Sequence, residues 1–232
     1  MEHALTRILV AVAVIAAVSC AATYASHLFY SAVDAGTGDL IAQGTELCSS
    51  LYVPANGTVY GFSSGSVSVH TADLGNGNIT VVVSGDTIAW SFPKSAFVID
   101  GIIGDFPEAG SGFSVNAPLN CISEYSASGS SYMEPKVLIS FNETTTPGGS
   151  TNCTISIRCC RLLPNFNASG SFDIIKETTS FEKSDYERSC LYNGSITVYI
   201  DGTLALSLNA SRGESILIDS ECTQSQLIAV ER

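Results

Sequence analysis

Beyond residue 50 the chain is governed by a two-residue alternation of apolar and polar positions. In SITVYIDGTLALSL, residues 195–208, two alternating arms flank Asp201-Gly202. An Asp-Gly pair tolerates the positive φ angles of a two-residue turn, so the segment predicts a β-hairpin. GSVSVHTADLGNGNITVVVSGDTIAWSF predicts three further arms, around residues 67–70, 79–83 and 87–92, parted by turns rich in Gly and Asn. SAFVIDGII, PKVLISF, CTISIRCC, SFDIIK and ESILIDS add short β-rich pieces, whereas residues 123–135, 142–152 and 177–188 read as surface loops. No helical period interrupts these strands. The first residues differ: ALTRILVAVAVIAAVSCAATYA, residues 4–25, carries only Arg7 as a charge, and the next charge is Asp34. The expected fold class is therefore α+β. A long N-terminal hydrophobic α-helix over residues 1–47 precedes an antiparallel β-sandwich-like domain over residues 48–232.

Composition narrows the setting. Ten basic against 22 acidic residues give a net charge of -12, which repels phosphate backbones and leaves no basic stripe, so no nucleic-acid partner is expected. Only 14% of residues are charged, and Ser and Thr supply much of the polar surface. Eight cysteines occur without a Cys-x-x-Cys pair. Scattered thiols suit disulfides in an oxidising compartment better than a zinc site. Outside the apolar run, which holds Cys20, the candidates are Cys48, Cys121, Cys153, Cys159, Cys160, Cys190 and Cys222. Adjacent Cys159 and Cys160 point to opposite faces of a strand and so take different partners. Seven of 11 asparagines sit in N-x-S/T tripeptides: Asn56, Asn78, Asn142, Asn152, Asn167, Asn193 and Asn209. Chance would give only about two or three, so the pattern predicts a glycosylated, extracytoplasmic exterior.

Catalytic signals are sparse. GFSSG, residues 61–65, has the form G-x-S-x-G around Ser63, with His70 and Asp73 nearby, but the residues after it alternate like a strand where a nucleophile elbow needs a helix. With only His3, His27 and His70, no H-E-x-x-H zinc pair can form. Asp100, Asp105 and Glu108 in DGIIGDFPE lack the ligand spacing of an EF-hand and read as a solvated turn. No phosphate-binding glycine loop is present, and no cofactor, metal or catalytic residue is assigned. A secreted hydrolase using Ser63 is the minor reading.

The apolar run decides the leading one. Its uncharged length allows about 39 Å of helix, enough to span a membrane. It holds seven alanines and four valines over residues 8–25, and such small side chains favour close helix packing. HALTRILVAVAVIAAV, in which Ala4, Leu5, Thr6 and Arg7 lead into a Val/Ala-rich helix, resembles the signal-cleavage segment of archaeal type IV pilins. The resemblance implies a helix held in the membrane before assembly, then bundled with identical subunits into the core of an extracellular filament with the β domain outside. Ile8, Val12, Ile15, Val18, Ala22, Phe29 and Val33 would form the assembly face, and the exposed domain would adhere to surfaces or other cells. Three alternatives stay open for the same run: a secretory signal cut before Ser26, a lipid-bearing Cys20, or an uncut anchor. The first would leave a soluble secreted β-domain and the other two a lipid- or membrane-anchored one, in each case a β-sandwich glycoprotein with a binding role.

Overall fold

The structure, a computed structural model, describes residues 39–52, 56–101, 112–116, 122–145, 147–149, 151–191, 194–210 and 214–231. The chain divides into two units, Met1–Ala42 and Gln43–Arg232. Residues 39–49 are helical (α1), and those from 43 onward belong to the second unit, where a 3-10 turn, Ser50–Tyr52, follows. Among the described residues eleven strands come next: β1 Thr58–Val83, β2 Asp86–Asp100, β3 Phe113–Val115, β4 Ile122–Ala127, β5 Ser130–Pro135, β6 Val137–Thr145, β7 Thr151–Leu162, β8 Asn167–Leu191, β9 Gly194–Ile200, β10 Thr203–Ala210 and β11 Glu214–Glu231.

These strands form one sheet in the order β3-β6-β7-β11-β8-β1-β2-β5-β4, with β9 and β10 branching from β1. The expected α+β class is thereby corrected. Among the described residues the chain is mostly β-sheet with a single short helix, and none of its helices is long and apolar enough to cross a membrane. The sheet is mixed rather than antiparallel, because β7 runs parallel to β11 and β3 parallel to β6. The proposed assembly face, Ile8, Val12, Ile15, Val18, Ala22, Phe29 and Val33, lies outside the described residues.

The alternation read from the sequence sets the main core. In β9 from Ile196, and in β7 from Cys153 to Cys159, every second residue is buried, as period-two patterning requires of a strand with one covered face. Ile79, Val81 and Val83 of β1 and Ile196, Val198 and Ile200 of β9 share one apolar cluster with Ile139 of β6, Ile155 and Ile157 of β7 and Ile216 and Ile218 of β11. The sheet thus folds back so that its own apolar side meets itself. A second core lies around four phenylalanines. Phe62 stacks on Phe172 at 5.5 Å and meets Phe97 edge-on at 5.7 Å, and Phe166 completes the group against Phe97 and Phe172. Here β2 returns to β7, where the Leu162 N–H donates to Ser95 Oγ at 2.7 Å. Leu47 of α1 and Leu51 of the 3-10 turn are fully buried as well, and Thr45 Oγ1 donates to Glu124 of β4 at 2.8 Å.

The predicted hairpin is present. Asp201 and Gly202 take φ of 49° and 78° and join β9 to β10 with Ile200 opposite Thr203. Ser84-Gly85 and Ser128-Gly129 make turns of the same length. Three expectations fail. The arms around residues 67–70 and 79–83 belong to the single strand β1, because LGNGN forms a bulge at Asp73/Gly75 instead of a turn. The strand passes under the Phe92 ring at Gly77, where a Cβ would lie 2.6 Å from a ring carbon. Residues 123–135 are not a loop but most of the β4–β5 hairpin, and residues 177–188 are strand within β8, paired to β11. Their polar side chains hide the strand, since the ladder holds them through backbone groups that no hydropathy pattern reveals.

The β4–β5 hairpin carries a titration signature. Tyr125 stacks on Tyr132 at 5.1 Å, and burial, aided by the negative charges of Glu134 and Tyr132, pushes its phenol up from 10.0 to about 12. Between those values the folded chain keeps a proton that the unfolded chain releases, so stability falls as pH rises through this window. Tyr125→Phe is expected to flatten that alkaline decline. Urea midpoints taken below and within the window check it, and an unchanged slope would show that Tyr125 titrates normally.

Candidate functional site

Among the described residues a chemically varied cleft opens where β1, β2 and the β7–β8 connection meet. It is lined by Ser68, His70, Thr71, Asp100, Pro164, Asn165, Phe166 and Asn167, with a volume of about 420 Å³. The β1–β2 ladder places His70 opposite Val98, so Asp100, two residues on, shares its face. His70 Nδ1 lies 3.1 Å from Asp100 Oδ2, and Ser130 Oγ of β5 donates to Asp100 Oδ1 at 2.9 Å. Both oxygens of the carboxylate are therefore engaged.

An imidazole held at Nδ1 by a carboxylate is the orienting half of a catalytic triad, which needs a hydroxyl at the other ring nitrogen to complete it. The described hydroxyls of the cleft are committed elsewhere. Ser68 Oγ donates to Asn167 Oδ1 at 3.2 Å, Thr71 Oγ1 to the Leu163 carbonyl at 2.6 Å, and Ser130 to the carboxylate itself. The cleft thus presents a set of fixed polar donors and acceptors.

The residues singled out by the sequence are distributed differently. Ser63 lies inside β1 opposite Ser171, with strand on both sides, so the strand-turn-helix context of a nucleophile elbow is missing there. Asp73 is not brought to His70. Its Oδ1 accepts the Gly75 N–H at 2.8 Å, and its Oδ2 lies 3.7 Å from Arg161. Asp105 and Glu108 lie outside the described residues, and among the described ones no group of three or more His, Cys, Asp or Glu could hold a metal.

Of the cysteines, Cys159 and Cys222 form a disulfide across the directly opposed positions of β7 and β11. Cys159 and Cys160 do face different ways: Cys159 joins the main core together with Cys153 and Cys222, whereas Cys160 accepts a hydrogen bond from Thr223 Oγ1 at 3.3 Å. Cys48 is a buried free thiol. Cys20 and Cys121 lie outside the described residues, as does the side chain of Cys190.

The sequons come out as a group. Asn56, Asn78, Asn142, Asn152, Asn167 and Asn209 are all exposed, and Asn193 lies outside the described residues. At two of them the amide is oriented. The Thr178 N–H donates to Asn56 Oδ1 at 2.8 Å, and Ser68 donates to Asn167 Oδ1, so the oxygen is engaged and leaves Nδ2, the atom that carries a sugar.

No protein-family model, curated protein or solved structure matches this chain. The functional reading therefore rests on the chemistry above. The His70–Asp100 pair escaped the sequence reading, which broke the chain at LGNGN. Extending the Ser84-Gly85 hairpin straight through that segment would have set His70 opposite Ile99 with Asp100 on the other face; the bulge at Asp73/Gly75 shifts the register by one, so that His70 stands opposite Val98 and shares a face with Asp100.

Proposed function

We propose that the chain is an extracytoplasmic, N-glycosylated cell-surface protein whose β unit is displayed to its surroundings in a structural and binding role. The observation that carries this reading is the exposure of every described sequon asparagine. An oligosaccharide is bulky and hydrophilic and requires an amide that reaches solvent. A buried sequon would have counted against the reading, and the described six raise no such conflict. The Cys159–Cys222 disulfide belongs with the same oxidising compartment. The acidic balance of -12 keeps such a surface soluble and turns it away from nucleic acid. The cleft at His70 and Asp100 supplies the fixed polar groups that a binding role asks for.

Glycopeptide mapping of the protein from its native cells tests the reading. Enzymatic release of the glycans should convert most of Asn56, Asn78, Asn142, Asn152, Asn167 and Asn209 to Asp. Unmodified asparagine at all six would overturn it. Electron microscopy of material sheared from the same cells separates the two forms of display: dispersed particles suit a tethered or secreted protein, and polymers of this chain would return the filament subunit.

A further inference from the structure

The cleft at His70 is lined in part by a sequon asparagine. Asn167, of Asn167-Ala168-Ser169, contributes to its wall together with His70 and Asp100. In the β1–β8 ladder Asn167 stands directly opposite His70, and Ser169 stands opposite Ser68. Directly paired residues place their side chains on one face with Cβ atoms about 5 Å apart, and residues two apart along a strand share that face. Ser68, His70, Asn167 and Ser169 therefore form one patch, which Asp100 joins from β2 at 3.1 Å from His70 Nδ1.

The groups of this patch are oriented. Ser68 Oγ donates to Asn167 Oδ1 at 3.2 Å, so the amide presents Nδ2, the atom that carries a sugar. Asp100 accepts from His70 Nδ1–H, which makes Nε2 of the neutral ring an acceptor, and that nitrogen has no partner among the described residues. Thr71 holds the floor. Its N–H donates to the Phe166 carbonyl at 3.1 Å and its Oγ1 accepts from the Phe166 N–H at 3.3 Å, tying β1 to the residue just before Asn167. Six of the eight lining residues are polar, whereas pockets for small organic ligands are mostly apolar, so the lining matches a ligand rich in hydroxyls.

We propose that this cleft seats the first sugar of the protein's own glycan at Asn167. The inference rests on the glycosylated reading above and names the ligand of the same cleft. A sugar bonded to Asn167 Nδ2 starts beside the imidazole that faces Asn167 across the ladder, and one of its hydroxyls donates to His70 Nε2. Attachment leaves Oδ1 unchanged, so Ser68 continues to hold the linking amide. Tethering decides the occupant: a ligand fixed to the wall of its own site has an effective concentration on the order of millimolar or more, ahead of any free sugar. Seated in this way, the glycan covers the His70–Asp100 pair.

The test uses the full glycosylated chain from its native cells and follows glycan release site by site. An amidase that frees N-linked glycans, applied to the folded protein, should convert Asn167 to Asp about tenfold more slowly than Asn142 and Asn209, as for a sugar that leaves its seat a tenth of the time. Asn142 and Asn209 are exposed and lie outside the cleft. In the denatured chain the three rates should agree. His70→Ala removes the acceptor and should raise the folded-state rate at Asn167 to that of the other two, whose own rates stay unchanged if the fold is intact. A second measurement leaves every residue of the cleft in place. Ser169→Ala abolishes the sequon, and His70 should then react with diethyl pyrocarbonate, which attacks imidazole nitrogen, several times faster than in the glycosylated wild type. Equal release at the three sites of the folded chain, a slow Asn167 that His70→Ala leaves slow, or equal reactivity of His70 with and without the glycan overturns the seating. Asn167 unmodified beside other glycosylated sequons also overturns it and leaves the glycosylated reading standing, whereas unmodified asparagine at every sequon removes both.

Discussion

Replacing Phe172 by alanine is expected to cost about 4 kcal/mol of stability, the range for truncating a fully buried aromatic ring in a packed core. Phe172 is 1% exposed, stacks on Phe62 and meets Phe166 edge-on, so its removal opens a cavity between two of its partners. The neighbours cannot close it cheaply. Phe62 and Phe172 sit opposite each other in the β1–β8 ladder, and their backbones are pinned by the strands on either side. For a unit of this size the loss corresponds to roughly 8–16 °C in Tm. Urea unfolding and calorimetry of the variant check it, and a loss below about 1 kcal/mol would mean that the four rings do not form a common core.

The second large effect belongs to the Cys159–Cys222 disulfide. Its two cysteines are 63 residues apart, and a closure of that length restricts the unfolded chain by about 4 kcal/mol in the chain-entropy account. All of β8, β9 and β10 lie within the closed segment, so the bond shortens the search for the parallel β7–β11 pairing. Parallel strands distant in sequence are slow to meet, because loop closure must precede the contacts that reward it. The Cys159→Ala/Cys222→Ala double variant is therefore expected both to unfold at lower urea and to refold more slowly. Stopped-flow refolding beside equilibrium titration measures the two effects. An unchanged midpoint would show that the cross-link adds nothing that the eleven-residue ladder between these strands does not already supply.

How far the fold was legible differs from element to element. The β9–β10 hairpin could be read because an Asp-Gly turn and two alternating arms are local signals that agree. The strands of the main core were legible for the same reason. Strand β8 was not: residues 177–188 are polar, and they are strand because β11 offers a partner along their length. The β4–β5 hairpin was hidden by its serines, although Met133 within it is fully buried. At the candidate cleft, His70 was noticed in the sequence with Asp73 nearby, but proximity along the chain names no partner, and the ladder delivers Asp100.

By itself, then, the sequence determined what is local or compositional: the β character, the hairpin turn, the acidic surface, the sequon-rich exterior and the opposite facing of Cys159 and Cys160. The tertiary structure decided what depends on residues distant along the chain. That covers the mixed direction of the sheet, the continuity of β1 through its bulge, the choice of Cys222 for Cys159, and the union of His70 with Asp100 and Ser130. The physical reason is that a strand's periodicity records which of its faces is covered. Which strand lies beside it is set by backbone hydrogen bonds that are nearly indifferent to side chains, so pairing and register emerge only when the whole sheet closes on its core.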